Sequence, residues 1–195
     1  MLTVSRPQLP GVSFAMPMAS GRYYGSPFAV SLNAVGAAIG GLYAVPLPIA
    51  KAVVLDEIGI EVSGAAAAGG AARLGIYATD EDGLPGDLLI DAGAVVTDAT
   101  GFQSVTGLAL PLYVGWWWAA AYFYTAAPGS VRGSGSTVAL GSREPTDVTA
   151  GLVGLSSPGW GSTWVGGLPS RWPRTNASGN VYGWVASLPR ILVAV

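Results

Sequence analysis

Apolar and polar side chains alternate well over residues 52–63, AVVLDEIGIEVS, with Ile58, Ile60 and Val62 on one face and Glu57, Glu61 and Ser63 on the other. A period of two marks a strand buried on one side. The pattern returns over residues 72–79, where Leu74, Ile76 and Ala78 face inward, and then in short pieces at 88–91, 93–97 and 101–110. Residues 80–86, DEDGLPG, separate the first two of these with the strongest turn signal in the chain, Asp-Gly followed by Pro-Gly. Residues 112–124, LYVGWWWAAAYFY, are apolar on both faces, Trp116 and Trp118 on one and Trp117 on the other. Such a strand belongs inside a sandwich or beneath a neighbour. Residues 41–49 read as a strand in which Pro46 and Pro48 predict an edge or a sheet corner. Residues 181–188 and 191–195 close the domain as final strands. Four alanines, 65–68, have high helix propensity but are too few to nucleate a helix, so 64–70 reads as a small-residue loop. Roughly eight to ten short strands with Gly/Pro turns and no convincing helix predict an all-β chain, a jelly-roll-like antiparallel β-sandwich.

Two stretches break the pattern. Residues 1–41 are punctuated by Pro7, Pro10, Pro17 and Pro27 yet remain apolar. They predict an extended N-terminal arm that packs on its parent domain or on a neighbour, with Phe14, Met16, Tyr23, Tyr24 and Phe28 as anchoring residues. The sandwich then occupies residues 42–195, with a long Trp-rich loop region at about 129–180. Its first part, 129–136, is Gly/Ser-rich and reads as a mobile loop; Trp160, Trp164 and Trp172 follow among Gly, Ser and Pro.

Composition narrows the function. Only 10% of the 195 residues are charged, against roughly 25% in an ordinary soluble domain, and 51% are hydrophobic. A subunit largely covered by copies of itself fits this balance, hence an expected homo-oligomer. The net charge of −2, with scattered basic residues, gives no field for nucleic acid. Charge-free runs lie between Arg22 and Lys51 and between Asp98 and Arg132, but prolines and glycines interrupt both, so no membrane insertion is expected. The prolines near the N-terminus also interrupt any secretory-signal pattern. The chain has no cysteine and no histidine. That removes disulfides, the usual general base near neutral pH, and every Ser-His or Cys-His nucleophile.

The remaining candidate chemistry is thin. Asp80 and Asp82 could offer oxygen ligands to calcium, but DEDG does not match the calcium-loop spacing, and solvating a tight turn explains them as well. Glu57 and Glu61 share a strand face but nothing marks them as a hydrolytic pair. Trp160, Trp164 and Trp172, near Asn176 and Asn180, have the composition of a glycan-stacking surface; the competing reading is that they plug the end of the sandwich or an intersubunit contact. The glycine-rich runs 36–41 and 64–70 lack the phosphate-loop pattern. No catalytic residue, metal or cofactor is expected.

Residues 43–93 contain RLGIY (73–77), the acidic GLPG turn and LLIDA (88–92). With Leu112, Tyr113 and Trp116 downstream, the segment 189–193 (PRILV) near the C-terminus and Gly21-Arg22-Tyr23-Tyr24 upstream, this run resembles β-sandwich modules of tailed-bacteriophage structural proteins. Similar modules occur in bacterial extracellular proteins. The resemblance covers about half the chain and leaves 132–174 unmatched. It implies a non-enzymatic virion component, anchored by its arm and assembled with itself, as a trimer, and with other virion proteins. The placements it implies are a capsid decoration or head fibre, and a tail fibre or adhesin contacting a host-surface glycan. A secreted bacterial carbohydrate-binding module is the alternative.

Overall fold

The computed structural model describes residues 18–26, 29–124, 126, 130–136, 154–157, 167–173, 183–185, 187–189 and 191–195. Among these the chain is all-β, with strands β1 (Tyr23–Tyr24), β2 (Ala29–Val35), β3 (Leu42–Ile49), β4 (Val53–Gly64), β5 (Ala71–Thr79), β6 (Pro85–Val96), β7 (Gly101–Leu112), β8 (Gly115–Tyr124), β9 (Ser130–Ser136), β10 (Gly154–Ser157), β11 (Gly183–Val185), β12 (Ser187–Pro189) and β13 (Ile191–Ala194). No helix of the described residues is long and apolar enough to cross a membrane.

The strands form two antiparallel sheets packed as a sandwich. A six-stranded sheet runs β11-β10-β3-β8-β5-β6. A seven-stranded sheet is built on β4, which pairs with β7 along one side and with β13 and then β9 along the other. Between the sheets lies a core in which Leu55, Ile58, Ile60, Val131, Ile191 and Val193 meet Val45, Leu47, Leu74, Ile76, Ala119, Ala121 and Phe123. The alternation in 52–63 therefore has its expected meaning: Ile58, Ile60 and Val62 are buried, while Glu57, Glu61 and Ser63 are half-exposed.

Several elements differ from their sequence expectation. The pieces 88–91 and 93–97 belong to one long strand, β6, bent at Gly93, whose φ of 114° suits glycine where the register with β5 slips. The Gly/Ser-rich segment expected as a mobile loop is strand β9. It pairs with β2 on one side and with β4 and β12 on the other, so backbone ladders, rather than an apolar pattern, hold it; Val131 alone supplies a fully buried large side chain there. A further strand, β10, falls in the region expected as loop, and β11 and β12 fall where a single final strand was expected at 181–188. Pro46 and Pro48 lie in a strand with neighbours on both sides. Among the described residues, however, β10 pairs with β3 only at Leu42, Tyr43 and Ala44, and the two imide nitrogens, two residues apart, point to that side and away from β8. Within the expected arm, residues 23–24 and 29–35 are sheet: β1 pairs with β13, β2 pairs with β9, and Ala37 is buried in the core.

Candidate functional site

β5 and β8 are apolar on both faces, and the outer face needs a cover. Leu42, Ala44, Tyr77, Trp118, Ala120 and Tyr122 form a second apolar cluster on the outside of the six-stranded sheet, closed by Leu168 and Trp172. Residues 167–173 act as a strap across it. The Leu88 amide donates to the Ser170 carbonyl at 2.8 Å and the Trp172 amide to the Gly86 carbonyl at 2.7 Å, so the strap extends the β6 edge by one bridge, Asp87 opposite Arg171.

Trp172 is 2% exposed, and its ring meets Tyr77 edge-on, 5.4 Å between centroids at 89°. It seals the sheet and offers no face to a sugar. Trp160 and Trp164 lie outside the described residues.

Beside the ring, Arg73 and Asp91 clamp the strap. Arg73 Nε donates to Asp91 Oδ2 at 3.0 Å and to Oδ1 at 3.2 Å. Oδ2 also accepts the Leu168 amide at 2.9 Å, and Oδ1 the Gly93 amide at 3.1 Å. Tyr77 completes the clamp by donating its hydroxyl to the Pro169 carbonyl at 2.9 Å. Burial first, and the Asp91 charge second, push the Tyr77 pKa far above its ordinary value, so this hydroxyl stays a donor. Gly75 lies beneath the strap because nothing larger fits: a Cβ there would stand 2.3 Å from Leu168 Cδ1 and 2.5 Å from the Ile90 carbonyl oxygen.

Of the expected arm residues, Tyr23 and Tyr24 are described. Tyr24 packs against the core and its hydroxyl accepts the Ala19 amide at 2.7 Å. Tyr23 is 47% exposed on the outer face of the other sheet, where it meets Phe102 edge-on at 5.0 Å and donates to Glu57 Oε2 at 2.8 Å. That bond to a carboxylate is the main reason its pKa is raised. Both tyrosines dock on their own chain. Phe14, Met16 and Phe28 lie outside the described residues.

The acidic turn is built from within. Asp80 Oδ1 accepts the amides of Asp82 at 3.0 Å and Leu84 at 2.9 Å, and the Asp80 amide donates to the Leu84 carbonyl at 2.8 Å. One oxygen of Asp80 thus shapes the loop while Asp82 faces solvent. Among the described residues no group of three or more Asp, Glu, His or Cys could hold a metal.

One surface went unnoticed in the sequence. At the end of the sandwich where 50–52 and 113–114 turn the chain, Val54, Tyr113, Val114 and Trp116 are exposed by 57%, 68%, 67% and 48%. Val54 opposes Pro111 on one sheet and Trp116 opposes Pro48 on the other, so this apolar rim wraps over the end. The Trp117 indole N–H donates to the Tyr113 carbonyl at 2.9 Å, and Thr79 donates to the Trp116 carbonyl, so the rim has a fixed backbone. A signal existed in Tyr113 and Val114, which interrupt the expected continuous strand with two large apolar residues in a turn. No protein-family model matches the chain, and no curated protein matches it.

Proposed function

We propose that the chain is a non-enzymatic structural component of a tailed-phage virion, a surface-exposed β-sandwich that assembles with its own copies and other virion proteins. The observation that carries this reading is the use made of the charged side chains. Asp91 and Arg73 clamp the strap, Arg171 and Asp87 lie at its bridge, Asp80 shapes a turn, Asp98 Oδ2 accepts the Gly69 amide, Glu57 holds Tyr23, and Arg132 meets Glu61 at 3.6 Å. Each ties one piece of backbone or sheet to another, as in a part made to hold shape. Among the described residues, four of the nine exposed large apolar side chains, Val54, Tyr113, Val114 and Trp116, gather at one end, as a contact surface requires. The resemblance over 43–93 supplies the phage assignment, and the exposed aromatic rings of Tyr113 and Trp116 suit either a neighbouring virion protein or a host-surface glycan.

The test is location. Particles from a culture producing the chain are purified on a density gradient, and the chain is sought by mass spectrometry and antibody-gold labelling. Fixed stoichiometry at the head surface or tail is expected. Absence from washed particles, with the chain free in the medium, would overturn the reading. Anchoring is tested by truncating before Met18, since removal through Gly41 would also strip β1 and β2 from the sheet.

A further inference from the structure

The apolar rim and the N-terminal segment belong to the same end of the molecule. β1 pairs Tyr23 with Ala194 and Tyr24 with Val193, and the Gly21 amide donates to the Val195 carbonyl at 3.1 Å. β13 in turn pairs Ala194 with Glu57 and Ile191 with Ile60. Two antiparallel steps make β1 parallel to β4. Going backward from Tyr23 to Met18 therefore leads toward the start of β4, where Val54 stands beside the 113–114 turn. Met18, the first described residue, thus stands at the end of the sandwich that carries the exposed rim, and seventeen residues precede it in the sequence. These include Leu9, Val12, Phe14 and Met16, with prolines at 7, 10 and 17. Extended, they reach about 55 Å, longer than the roughly 40 Å of a twelve-residue strand such as β4.

We propose that the rim of Val54, Tyr113, Val114 and Trp116 is the acceptor for residues 1–17 of a second copy, so that copies join by exchanging N-terminal segments. Three features support this occupant. The rim is open on a single copy, with all four side chains about half exposed or more. The segment is apolar, as the rim is, and neither is charged apart from Arg6 in the segment. Its reach exceeds the sandwich, so a neighbour lies within its range. Large rings set in a fixed turn are good anchors, because little rotamer freedom is lost on contact. The inference rests on the reading that the chain assembles with itself, and does not need the particle assignment.

The absence of cysteine makes the test clean, since introduced thiols are the only ones present. Full-length Met16→Cys and Val114→Cys copies carrying different affinity tags are mixed under oxidising conditions. A disulfide-linked pair holding one of each tag is expected. In the wild-type chain, sedimentation should show an oligomer, and Tyr113→Ser with Trp116→Ser should weaken self-association at least about tenfold. The single change Phe14→Ser should do the same from the other side. A melting curve for each variant checks that it is folded.

A Met16→Cys/Val114→Cys double variant that closes its disulfide within a monomer, while the mixture yields none, would place the segment on its own rim and overturn the exchange. An oligomer untouched by either set of substitutions would move the interface elsewhere and overturn it too. A monomeric wild-type chain, or a rim that captures only a different virion protein, would likewise refute it. A chain found on particles yet monomeric and unlinked refutes the exchange alone; a linked oligomer absent from particles refutes the virion assignment alone.

Discussion

Cutting Trp172 to alanine tests whether the strap is part of the fold. The ring is 2% exposed and lies against Tyr77 on the outer face of β5 and β8. Truncating a buried Trp costs about 3–5 kcal/mol, through lost transfer energy and the cavity left behind. The strap is a surface segment that can settle into part of the gap, so a loss near the lower end, about 3 kcal/mol, is expected. For a chain of this size that corresponds to a melting temperature lower by about 6–12 °C. A second readout isolates the strap. Arg171 is well exposed as a side chain, but its neighbours Ser170 and Trp172 are hydrogen-bonded to the β6 edge, so trypsin must wait for the backbone to lift. If opening equilibrates before cleavage, 3 kcal/mol of lost docking speeds the cut after Arg171 by roughly a hundredfold. Trp172→Phe, which keeps an edge-on ring against Tyr77, should recover most of both effects. A Trp172→Ala chain that melts within about 2 °C of wild type, and is cut no faster, would refute the strap as a sealing element.

Three further outcomes follow from the same geometry. Asp91→Asn leaves an amide NH₂ facing one of the donors now bound to the carboxylate; with the ion pair only half-buried, a loss of about 2 kcal/mol in urea unfolding is expected, and combining it with Arg73→Met should fall about 1 kcal/mol short of additivity. Wild-type stability for Asp91→Asn would show that the clamp is idle. Because the folded-state pKa of Tyr77 lies above the ordinary value of 10.0, the native state keeps its proton longer than the unfolded chain. That contribution is intact below about pH 10 and lost above it by up to about 1.4 kcal/mol per pH unit. Tyr77→Phe should flatten this alkaline fall, at a cost of about 1 kcal/mol at neutral pH from the lost bond to Pro169, and an unchanged slope would contradict it. Asp80→Ala should cost about 1 kcal/mol through its two amide bonds, while calcium or a chelator leaves the melting point unmoved; a rise with calcium would restore a metal role to the turn.

Where one side chain pattern decided the structure, the sequence was legible. Ile58, Ile60 and Val62 announce β4 because one face is buried and the other is wet. The turn at 80–86 is equally plain, since Asp80 closes it with local bonds. β9 was hidden because a Gly/Ser strand has almost no side chains to pattern, and its stability comes from ladders to β2, β4 and β12, which are distant in sequence. β1 and β2 were hidden for a similar reason: prolines and short apolar pieces look alike whether the segment is an arm or an edge. Trp172 stands in a polar loop, where a glycan-stacking ring and a plug at the end of the sandwich look the same. The partner that buries it, the outer face of β5, was invisible because alternation assigns a second face to solvent unless something far away covers it.

The stretch Arg73–Tyr77 shows why a recognisable motif here speaks for fold more than for ligand. Leu74 and Ile76 face the core between the sheets, while Gly75 and Tyr77 face the strap. Arg73 then fixes the strap's carboxylate partner from the same side. Five consecutive residues thus carry two layers at once, one apolar inward contact set and one outward docking set. A change at any of them disturbs packing before it could alter recognition. Gly75→Ala is the sharpest case: its Cβ meets both a side chain, Leu168, and a backbone oxygen, that of Ile90. Trimming Leu168 to alanine relieves only the first contact, so the pair Gly75→Ala/Leu168→Ala should remain less stable than Leu168→Ala alone. The proposed recognition surface, the rim at 113–116, lies apart from these layers, so substitutions there leave them intact.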